Sequence, residues 1–185
     1  MSHKRALRAK VAAARRARAD DDRTLARAGV REAVLAHCAA ERLPAGSWVA
    51  AYEPLPSEPG SAELLAGLAA AGYRVMVPVV LADNDLDWSP WTASNADDAA
   101  RVRLGRSAIA DAALVLAPAF AVDPAGRRLG RGGGCYDRAL ARVPAGVAIA
   151  ALLFDDEFLP TVPADSWDVP VTAVATPSGW RDLAT

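Results

Sequence analysis

The stretch "DAALVLAPAFAVDPAGRRLGRGGGCYDRALARV", Asp111 to Val143, contains the pattern that decides the fold. A continuous apolar run at its start predicts a buried β-strand, and Pro124 and Gly126 predict a turn after it. A glycine-rich loop then leads into a segment that predicts a helix beginning near Tyr136. A buried strand followed by a loop and a helix is the building unit of parallel sheets, so the stretch indicates an α/β fold.

The segments on either side of this stretch continue the alternation. They predict four more strands, in 47–55, 74–80, 146–154 and 169–177, and a helix in 61–73 with Ser61 as its cap. Because these strands are continuous apolar runs, they indicate a mainly parallel sheet with helices on both faces, a three-layer α/β/α fold. The polar segment 81–107 breaks the pattern and predicts a long excursion with short strands.

The N-terminal region predicts a helical hairpin. Residues 4–18 are almost entirely helix formers, and Asp20 to Asp22 offer an N-cap and first-turn acids for a second helix. The side chains of this second helix that could face a core are those of Leu25, Val30, Val34 and Leu35. The N-terminal arm is basic, but it has no interleaved aromatic residues and the whole chain has a net charge of −1. This composition argues against a nucleic-acid partner.

The overall composition is that of a globular protein. Apolar residues make up 52% of the 185 residues and charged residues 23%, and the length suits one domain spanning residues 1–185. No apolar run reaches the roughly 20 residues that cross a bilayer, and the N-terminus has no signal-peptide core. Cys38 and Cys135 are too far apart to indicate a disulfide framework or a zinc site. We expect a cytoplasmic monomer with no membrane partner.

The loop "RRLGRGGGCYDRAL", Arg127 to Leu140, has the composition of an anion-binding site. Successive glycines permit positive φ angles and let several backbone N–H groups point toward one ligand. Arg128 and Arg131 add charged donors that suit phosphate oxygens. The loop lacks the Gly-Lys-Ser/Thr ending of a P-loop and the GxGxxG spacing of dinucleotide folds. It therefore indicates a nucleotide phosphate chain as ligand, and a tight turn with solvent-facing arginines is the alternative.

Asp137 follows this loop directly and suggests a magnesium ion. A carboxylate beside a phosphate site opposes the local field unless a cation offsets it, and Mg²⁺ is typically held by one or two carboxylates together with substrate phosphates. A second acid should then come from elsewhere in the chain. The candidates after the next strand are Asp155, Asp156, Asp165 and Asp168, each of which alone is typical of a solvated surface.

Four motifs in the same order resemble those of the 5-formyltetrahydrofolate cyclo-ligases, also called methenyltetrahydrofolate synthetases. They are "KRALR" (4–8), "YEPLPSE" (52–58), "LAPAFAVDPAGRRLGRGGGCYDRAL" (116–140) and "LPTVPADSWDVPVTAVAT" (159–176). The third is highly specific, and the others are weak when taken singly. The resemblance implies a compact α/β/α enzyme that binds ATP, Mg²⁺ and a reduced folate. The reaction that the resemblance implies converts 5-formyltetrahydrofolate and ATP to 5,10-methenyltetrahydrofolate, ADP and phosphate, a step of folate one-carbon metabolism.

By position, the resemblance implies three sets of site residues. The ATP set is Lys4, Arg8, Arg128, Leu129, Gly130, Arg131, Gly132, Gly133, Gly134, Cys135 and Tyr136. The folate set is Arg8, Glu53, Glu58, Arg131, Gly132, Gly133, Gly134 and Cys135, with Glu58 accepting hydrogen bonds from the pterin. The Mg²⁺ ligands are Asp137 and Asp168. Without the resemblance, Lys4 and Arg8 are typical of a solvated helix, and Glu53 and Glu58 of loop acids.

Three positions depart from the family pattern. Cys135 replaces the first of two tyrosines, Trp167 stands where bacterial members often have histidine, and Glu157 occupies a common glutamine position. These departures keep two alternatives open: a cyclo-ligase relative with a different formylated or pterin-like substrate, and a protein that binds folate or nucleotide without catalysis. We interpret Cys135 as a small packed thiol rather than a reactive nucleophile.

Overall fold

The computed structural model describes residues 3–93 and 101–184, with a seven-stranded sheet at their centre. Its strands are β1 (Trp48–Ala50), β2 (Arg74–Val80), β3 (Leu86–Pro90), β4 (Ala112–Pro118), β7 (Ala148–Leu152), β8 (Ala173–Thr176) and β9 (Gly179–Asp182); β5 (Ala121–Val122) and β6 (Arg128–Leu129) form a separate ribbon. The order in the sheet is β3-β2-β1-β4-β7-β8-β9. The five central strands are parallel, and β3 and β9 pair antiparallel at the edges. The predicted mainly parallel sheet is confirmed.

The central strands are buried on both faces. Leu114 and Leu116 of β4 belong to one core cluster, and the intervening Val115 belongs to the other. Successive side chains of a strand point to opposite faces, so a strand between two cores must be apolar at every position. This explains why the strands read as unbroken apolar runs in the sequence.

Helices cover both faces of this sheet. They are α1 (His3–Ala17), α2 (Asp20–Ala40), α3 (Ala62–Ala70) and α4 (Cys135–Leu140), with 3-10 helices at Arg106–Asp111 and Asp155–Glu157. Residues of α2 and α3 such as Val34 and Leu68 pack in one core cluster, while Leu140 of α4 and Ile109 pack in the other. The expected three-layer α/β/α fold is therefore confirmed.

The strand order reverses direction between β1 and β4. From β1 the chain continues to β2 on one side, and from β4 it continues to β7 on the other. The loops that leave the carboxyl ends of β1 and β4 therefore diverge, and ligands of open α/β sheets bind in the crevice between such loops. The loop after β1 contains Glu53 and Glu58, and the chain after β4 leads to the glycine loop.

Both predicted N-terminal helices are present, and each packs against a different part of the molecule. α2 contacts β8, β9 and α3, whereas side chains of α1 reach the loops that follow β4, β6 and β7. The N-cap of α2 is Ala19, without a side-chain cap, so the prediction of an aspartate cap is wrong. Asp20, Asp21 and Asp22 instead occupy the first turn, where their charge suits the helix dipole.

Several other predictions can be compared with the structure. Ser61 caps α3 as expected, because its hydroxyl oxygen accepts from the Leu64 N–H at 3.2 Å. Leu25 is 76% exposed, so its expected core position is wrong, although Val30 and Val34 are buried. The edge strand β9 was not predicted.

The excursion 81–107 contributes β3, and its residues 94–100 lie outside the described part of the chain. None of the described helices is long and apolar enough to cross a bilayer.

Candidate active site

The glycine loop, residues 130–134, joins β6 to α4 and has two positions that only glycine fits well. Gly132 has a φ of +103° and Gly134 a φ of +69°. The guanidinium carbon of Arg8 lies 3.3 Å from the point where a Cβ of Gly132 would stand, and Nη1 of Arg128 lies 2.7 Å from that point on Gly130. Side chains here would displace both arginines, so the glycines allow cations to approach the backbone from two sides.

A cavity of about 670 Å³, called here the charged cavity, lies on one side of this loop. Its wall consists of Lys4, Arg8, Arg128, Leu129, Gly130, Gly132, Gly133, Gly134, Asp137, Arg138, Ala141, Asp165, Trp167 and Asp168. Cations from α1 and β6 thus face the glycine loop together with acids from α4 and from the segment before β8. Arg8 is fixed there by a 2.7 Å hydrogen bond from its Nε to the carbonyl oxygen of Gly130.

Lys4 is paired with both acids of the 165–168 turn. Its Nζ lies 2.6 Å from Oδ2 of Asp165 and 2.6 Å from Oδ2 of Asp168. Burial alone would lower the pKa of Lys4, but the hydrogen bonds to the two carboxylates raise it above its usual value. Burial likewise acts to raise the pKa of Asp168, yet the hydrogen bond from Lys4 holds it below its usual value. Both groups are therefore charged at neutral pH.

Asp137 is held by a buried arginine. Nη2 of Arg128, whose side chain is 2% exposed, donates to Oδ1 of Asp137 at 2.7 Å. Nη1 of the same guanidinium donates to the carbonyl oxygen of Pro118 at 3.2 Å, which joins β6, the strand before the glycine loop, to the end of β4. Asp137 and Asp168 therefore face the same cavity from two different segments.

The two carboxylates suit magnesium by their chemistry. Mg²⁺ prefers oxygen ligands and commonly takes one or two carboxylates together with phosphates and water. Within 3–93 and 101–184, no group of three or more histidine, cysteine, aspartate or glutamate side chains is placed to hold a metal ion. Two carboxylates alone leave the remaining coordination positions of such an ion to water and to ligand oxygens.

A second cavity of about 310 Å³, called here the apolar cavity, lies on the other side of the glycine loop. Its wall consists of Tyr52, Glu53, Leu55, Glu58, Pro78, Val80, Leu86, Pro118, Arg128, Gly130, Arg131, Gly132, Gly133, Gly134, Cys135, Tyr136 and Asp137. The loop after β1 supplies Glu53 and Glu58, α4 supplies Asp137, and the ends of β2 and β4 supply part of its apolar surface. Residues 130 and 132–134 line both cavities, so the glycine loop is their common wall.

Glu58 is almost fully buried in this wall. Its Oε2 accepts from the Leu55 N–H at 2.8 Å, and its Oε1 lies 3.4 Å from Nη2 of Arg131. Arg27 of α2 fixes the same loop by donating to the carbonyl oxygens of Pro56 and Glu58 at 2.8 and 3.0 Å. The carboxylate is thus rigidly held, and the contact of its Oε1 to Arg131 is long.

Glu53, the other acid of the loop after β1, forms an ion pair. Glu53 pairs with Arg101, whose Nη2 lies 3.0 Å from Oε2.

The hydroxyl of Tyr136 is buried and has no hydrogen-bond partner among the described residues. Burial raises the pKa of this phenol far above its usual value, so Tyr136 is neutral and can donate. A buried hydroxyl without a partner costs free energy, which a polar ligand group could recover.

The predicted site residues all lie in the wall of one or both cavities. Of the two cavities, Arg8 lines only the charged one, although the resemblance also assigns it to folate. Arg131 and Cys135, assigned to both ATP and folate, line only the apolar cavity, and so does Tyr136, which was assigned to ATP alone. Of the acids considered for a second metal ligand, Asp165 and Asp168 are in the site. Asp155 and Asp156 lie elsewhere, the former accepting from the Ser178 N–H at 3.2 Å and the latter pairing with Arg18 at 2.8 Å.

Sequence reasoning missed two supporting arginines. Arg27 carries no motif that would reveal its contact with the loop after β1. Arg15 was counted among the cations of a basic helix, but it is 3% exposed and forms two hydrogen bonds to the buried Glu157, at 2.6 and 2.8 Å. Its spacing of four residues from the buried Val11 was the available signal, because residues four apart share a helix face.

Comparison with known proteins gives the family of this chain. The model of the 5-formyltetrahydrofolate cyclo-ligase family matches residues 1–177. The chain belongs to this family. It is 42% identical over 146 residues to the 5-formyltetrahydrofolate cyclo-ligase of Mycolicibacterium smegmatis, covering 71% of this chain and 74% of the relative. It is 38% identical over 71 residues to the enzyme of that name from Escherichia coli, covering 35% and 36% of the two chains.

Solved structures agree on the fold of this cyclo-ligase family member. The chain resembles the 5,10-methenyltetrahydrofolate synthetase of Mycoplasma pneumoniae with a TM-score of 0.79 at 19% identity, covering 95% of this chain and 99% of the other. It resembles that of Aquifex aeolicus with a TM-score of 0.73 at 24% identity, covering 98% and 93%. The predicted family, fold and ligase class are thereby confirmed.

Proposed function

We propose that this protein uses ATP to convert 5-formyltetrahydrofolate to 5,10-methenyltetrahydrofolate, releasing ADP and phosphate. One observation carries the proposal: the glycine loop is the common wall of a charged cavity and an apolar cavity. A phosphate donor on one side and an apolar acceptor on the other would meet at this loop. The names of the relatives support this reaction.

The charged cavity is the proposed site of ATP. Lys4 and Arg8, four residues apart on α1, present two cations on one helix face to a polyphosphate, and the loop offers backbone N–H groups. Asp137 and Asp168, which both line this cavity, would hold Mg²⁺. When bound, this ion supplies positive charge that offsets the phosphoryl oxygens. Lys4 lies 2.6 Å from Asp168, so it is near enough to neutralise the same carboxylate when the metal is absent.

The apolar cavity is the proposed site of the folate. Its volume lies at the lower end of the range for small-molecule pockets, roughly 300–1,000 Å³. The buried carboxylate of Glu58 would accept hydrogen bonds from the amino and ring N–H groups of the pterin, because the contact of Oε1 to Arg131, at 3.4 Å, is long enough to leave this oxygen able to accept from a ligand. The unpartnered hydroxyl of Tyr136 would donate to an acceptor of the same ligand.

The reaction needs positioning and charge stabilisation rather than a protein nucleophile. The formyl oxygen attacks the γ-phosphorus in line, the bond from that phosphorus to the bridging oxygen breaks, and ADP leaves. N10 then attacks the carbon of the resulting N5-iminium phosphate, the N10 proton passes to water, and the carbon–oxygen bond breaks to release phosphate. Such chemistry relies on fixed donors around the transferred group, which Lys4, Arg8 and the loop amides provide.

Two substitutions test the proposal. We expect Asp137→Ala and Arg131→Ala each to lower ATP-dependent formation of the methenyl product by orders of magnitude, measured by near-ultraviolet absorbance. Arg5→Ala is the matched control for Arg131→Ala, because Arg5 is an exposed cation on α1 outside both cavity walls. Thermal unfolding of each variant shows whether the fold is retained. Near-normal turnover in both site variants would contradict the proposed function.

Cys135 supports one alternative, a relative that acts on another formylated or pterin-like substrate. It lines the apolar cavity at the position where the family resemblance leads us to expect an aromatic ring. Competition between 5-formyltetrahydrofolate and other formylated pterins in the same assay distinguishes the proposed function from this alternative. Tighter inhibition and faster turnover with another compound would favour the alternative.

A further inference from the structure

Trp167 is an exposed residue and the one aromatic side chain among the described residues that line the charged cavity. All five tryptophans lie in the described ranges; Trp88 is fully buried, Trp48, Trp91 and Trp180 are partly buried, and Trp167 is 71% exposed. Its indole lines the charged cavity together with Lys4, Arg8 and the glycine loop. An indole left in water forgoes the free energy of apolar burial, so a ligand that covers it would bind more tightly.

The turn that carries Trp167 is fixed from both ends. The Asp168 N–H donates to the carbonyl oxygen of Asp165 at 3.1 Å, and the Asp165 N–H donates to Oδ2 of Asp168 at 2.7 Å. Lys4 holds both carboxylates at 2.6 Å. Trp167 is therefore presented from a rigid turn, immediately beside a carboxylate assigned to the metal. Arg138 and Ala141 of α4 also line this cavity, so its wall extends beyond the glycine loop.

We infer that Trp167 stacks on the base of the bound nucleotide. The inference rests on the proposed function, which places the polyphosphate against the glycine loop, Lys4 and Arg8. A nucleotide held there by its phosphates extends its base toward the remainder of the cavity wall, where Trp167 offers a flat apolar surface. Every nucleobase has a π-face, so stacking favours ligands that carry a base over inorganic polyphosphate and depends little on which base is present.

The test compares two ligands that share a chain of three phosphates, of which one carries a nucleoside and the other does not. Dissociation constants for ATP and for inorganic tripolyphosphate are measured by calorimetry on wild type, Trp167→Ala, Trp167→Phe and Leu25→Ala. We expect Trp167→Ala to weaken ATP binding by about fivefold to a hundredfold and to leave tripolyphosphate binding within about twofold. Trp167→Phe should retain most of the preference for ATP. Leu25→Ala, which truncates a comparably exposed side chain on α2, should change neither constant.

Quenching of tryptophan fluorescence gives a second readout. Trp167 is the most exposed tryptophan, so the difference between wild type and Trp167→Phe isolates its emission. ATP should protect this emission from acrylamide, and tripolyphosphate should not.

The outcomes separate the inference from the proposed function. If Trp167→Ala weakens the binding of ATP and of tripolyphosphate equally, or weakens neither, the stacking role is overturned. This holds at any rate of turnover. Selective loss of ATP binding supports it. If wild type shows this base-dependent binding but forms no methenyl product from 5-formyltetrahydrofolate, the proposed reaction fails and the stacking role stands.

Discussion

Four charged side chains of the candidate site form two close pairs of opposite sign. Lys4 lies 2.6 Å from Asp168 and Arg128 lies 2.7 Å from Asp137. Each pair joins a proposed phosphate-site cation to a proposed metal ligand. A site that must bind a polyanion and a divalent cation together needs both signs of charge, and each of these pairs supplies one of each. Lys4 and Asp168 keep each other charged, because their contact raises the pKa of the amine and lowers the pKa of the carboxyl.

Cys135 is the residue at which substrate recognition can be altered most directly. Its side chain lines the apolar cavity at the start of α4, and a tyrosine there would add an aromatic face to the wall. Stacking of this kind is worth about 0.5–1.5 kcal/mol, so we expect Cys135→Tyr to lower the KM for 5-formyltetrahydrofolate by about two- to tenfold. The KM for ATP should change little, because the backbone of the glycine loop is unchanged. Steady-state kinetics with each substrate varied in turn measures both values.

Cys135→Ser is the matched control for this substitution. It keeps the size of the side chain and removes the thiol, so both KM values and kcat should stay within about twofold if the cysteine only fills space. A large loss of kcat in Cys135→Ser would instead reveal a chemical role of the thiol. An unchanged or higher folate KM in Cys135→Tyr would show that position 135 does not contact the folate.

At the scale of elements, α1 is attached to the rest of the molecule by a buried ion pair. Arg15 and Glu157 are each about 4% exposed at the side chain, and Nη2 of Arg15 also donates to the carbonyl oxygen of Ala119 at 2.6 Å. Burial alone would lower the pKa of Arg15, but the hydrogen bonds that it donates to Glu157 raise it, so the pair is ionic. Since α1 also carries Lys4 and Arg8, this pair positions the cations of the charged cavity.

Arg15→Met tests this attachment. Removing one partner leaves the Glu157 carboxylate buried without a counter-ion, which typically costs about 3–5 kcal/mol of unfolding free energy. The KM for ATP should rise as well, because α1 loses its fixed position. Arg18→Met is the matched control: Arg18 pairs with Asp156, whose side chain is 61% exposed, and such pairs contribute about 1 kcal/mol or less. Urea unfolding and ATP kinetics measure the two effects, and equal losses in the two variants would contradict the special role of Arg15.

At the scale of the whole molecule, most of the fold follows from apolar patterning, but the strand order does not. Unbroken apolar runs such as 112–118 predict strands buried on both faces, and Ser61 predicts the start of α3. Local pattern carries no information on which strand is adjacent to which, so the reversal between β1 and β4 that creates the site was not predicted. The edge strand β9 was missed because its half-exposed residues show no apolar run.

The candidate site, like the fold, could be predicted from the sequence where its residues are contiguous, but not where it depends on contacts between distant segments. The glycines and Asp137 are contiguous in the chain, so their chemistry can be read locally. The division of the site into two cavities, and the assignment of Arg131, Cys135 and Tyr136 to the apolar one, depends on contacts between distant segments. Arg15 and Arg27 were missed for the same reason, because arginines on a helix are typical of solvated surfaces until a buried partner is known.

Asp85 connects three distant segments on the face of the sheet that α4 covers. It follows the turn between β2 and β3, and its side chain is 5% exposed. It accepts from Nη2 of Arg142, just after α4, at 2.5 Å and from Nη1 of Arg106 in the 3-10 helix at 3.1 Å. Hydrogen bonds from Arg142 lower the pKa of Asp85 to about 2.

This lowered pKa predicts how stability depends on pH. A carboxyl whose folded-state pKa is depressed stabilises the fold fully above its unfolded value near 4, and the contribution disappears as pH falls through about 2. The full shift corresponds to about 2 kcal/mol, and solvent around the two arginines reduces this to roughly 1 kcal/mol. We expect Asp85→Asn to be less stable than wild type by about that amount at pH 7, with the difference vanishing between pH 4 and pH 2. Urea unfolding across this range, with the exposed Asp111→Asn as control, measures it; a difference that stays constant down to pH 2 would show that the stabilisation by Asp85 does not depend on its charge.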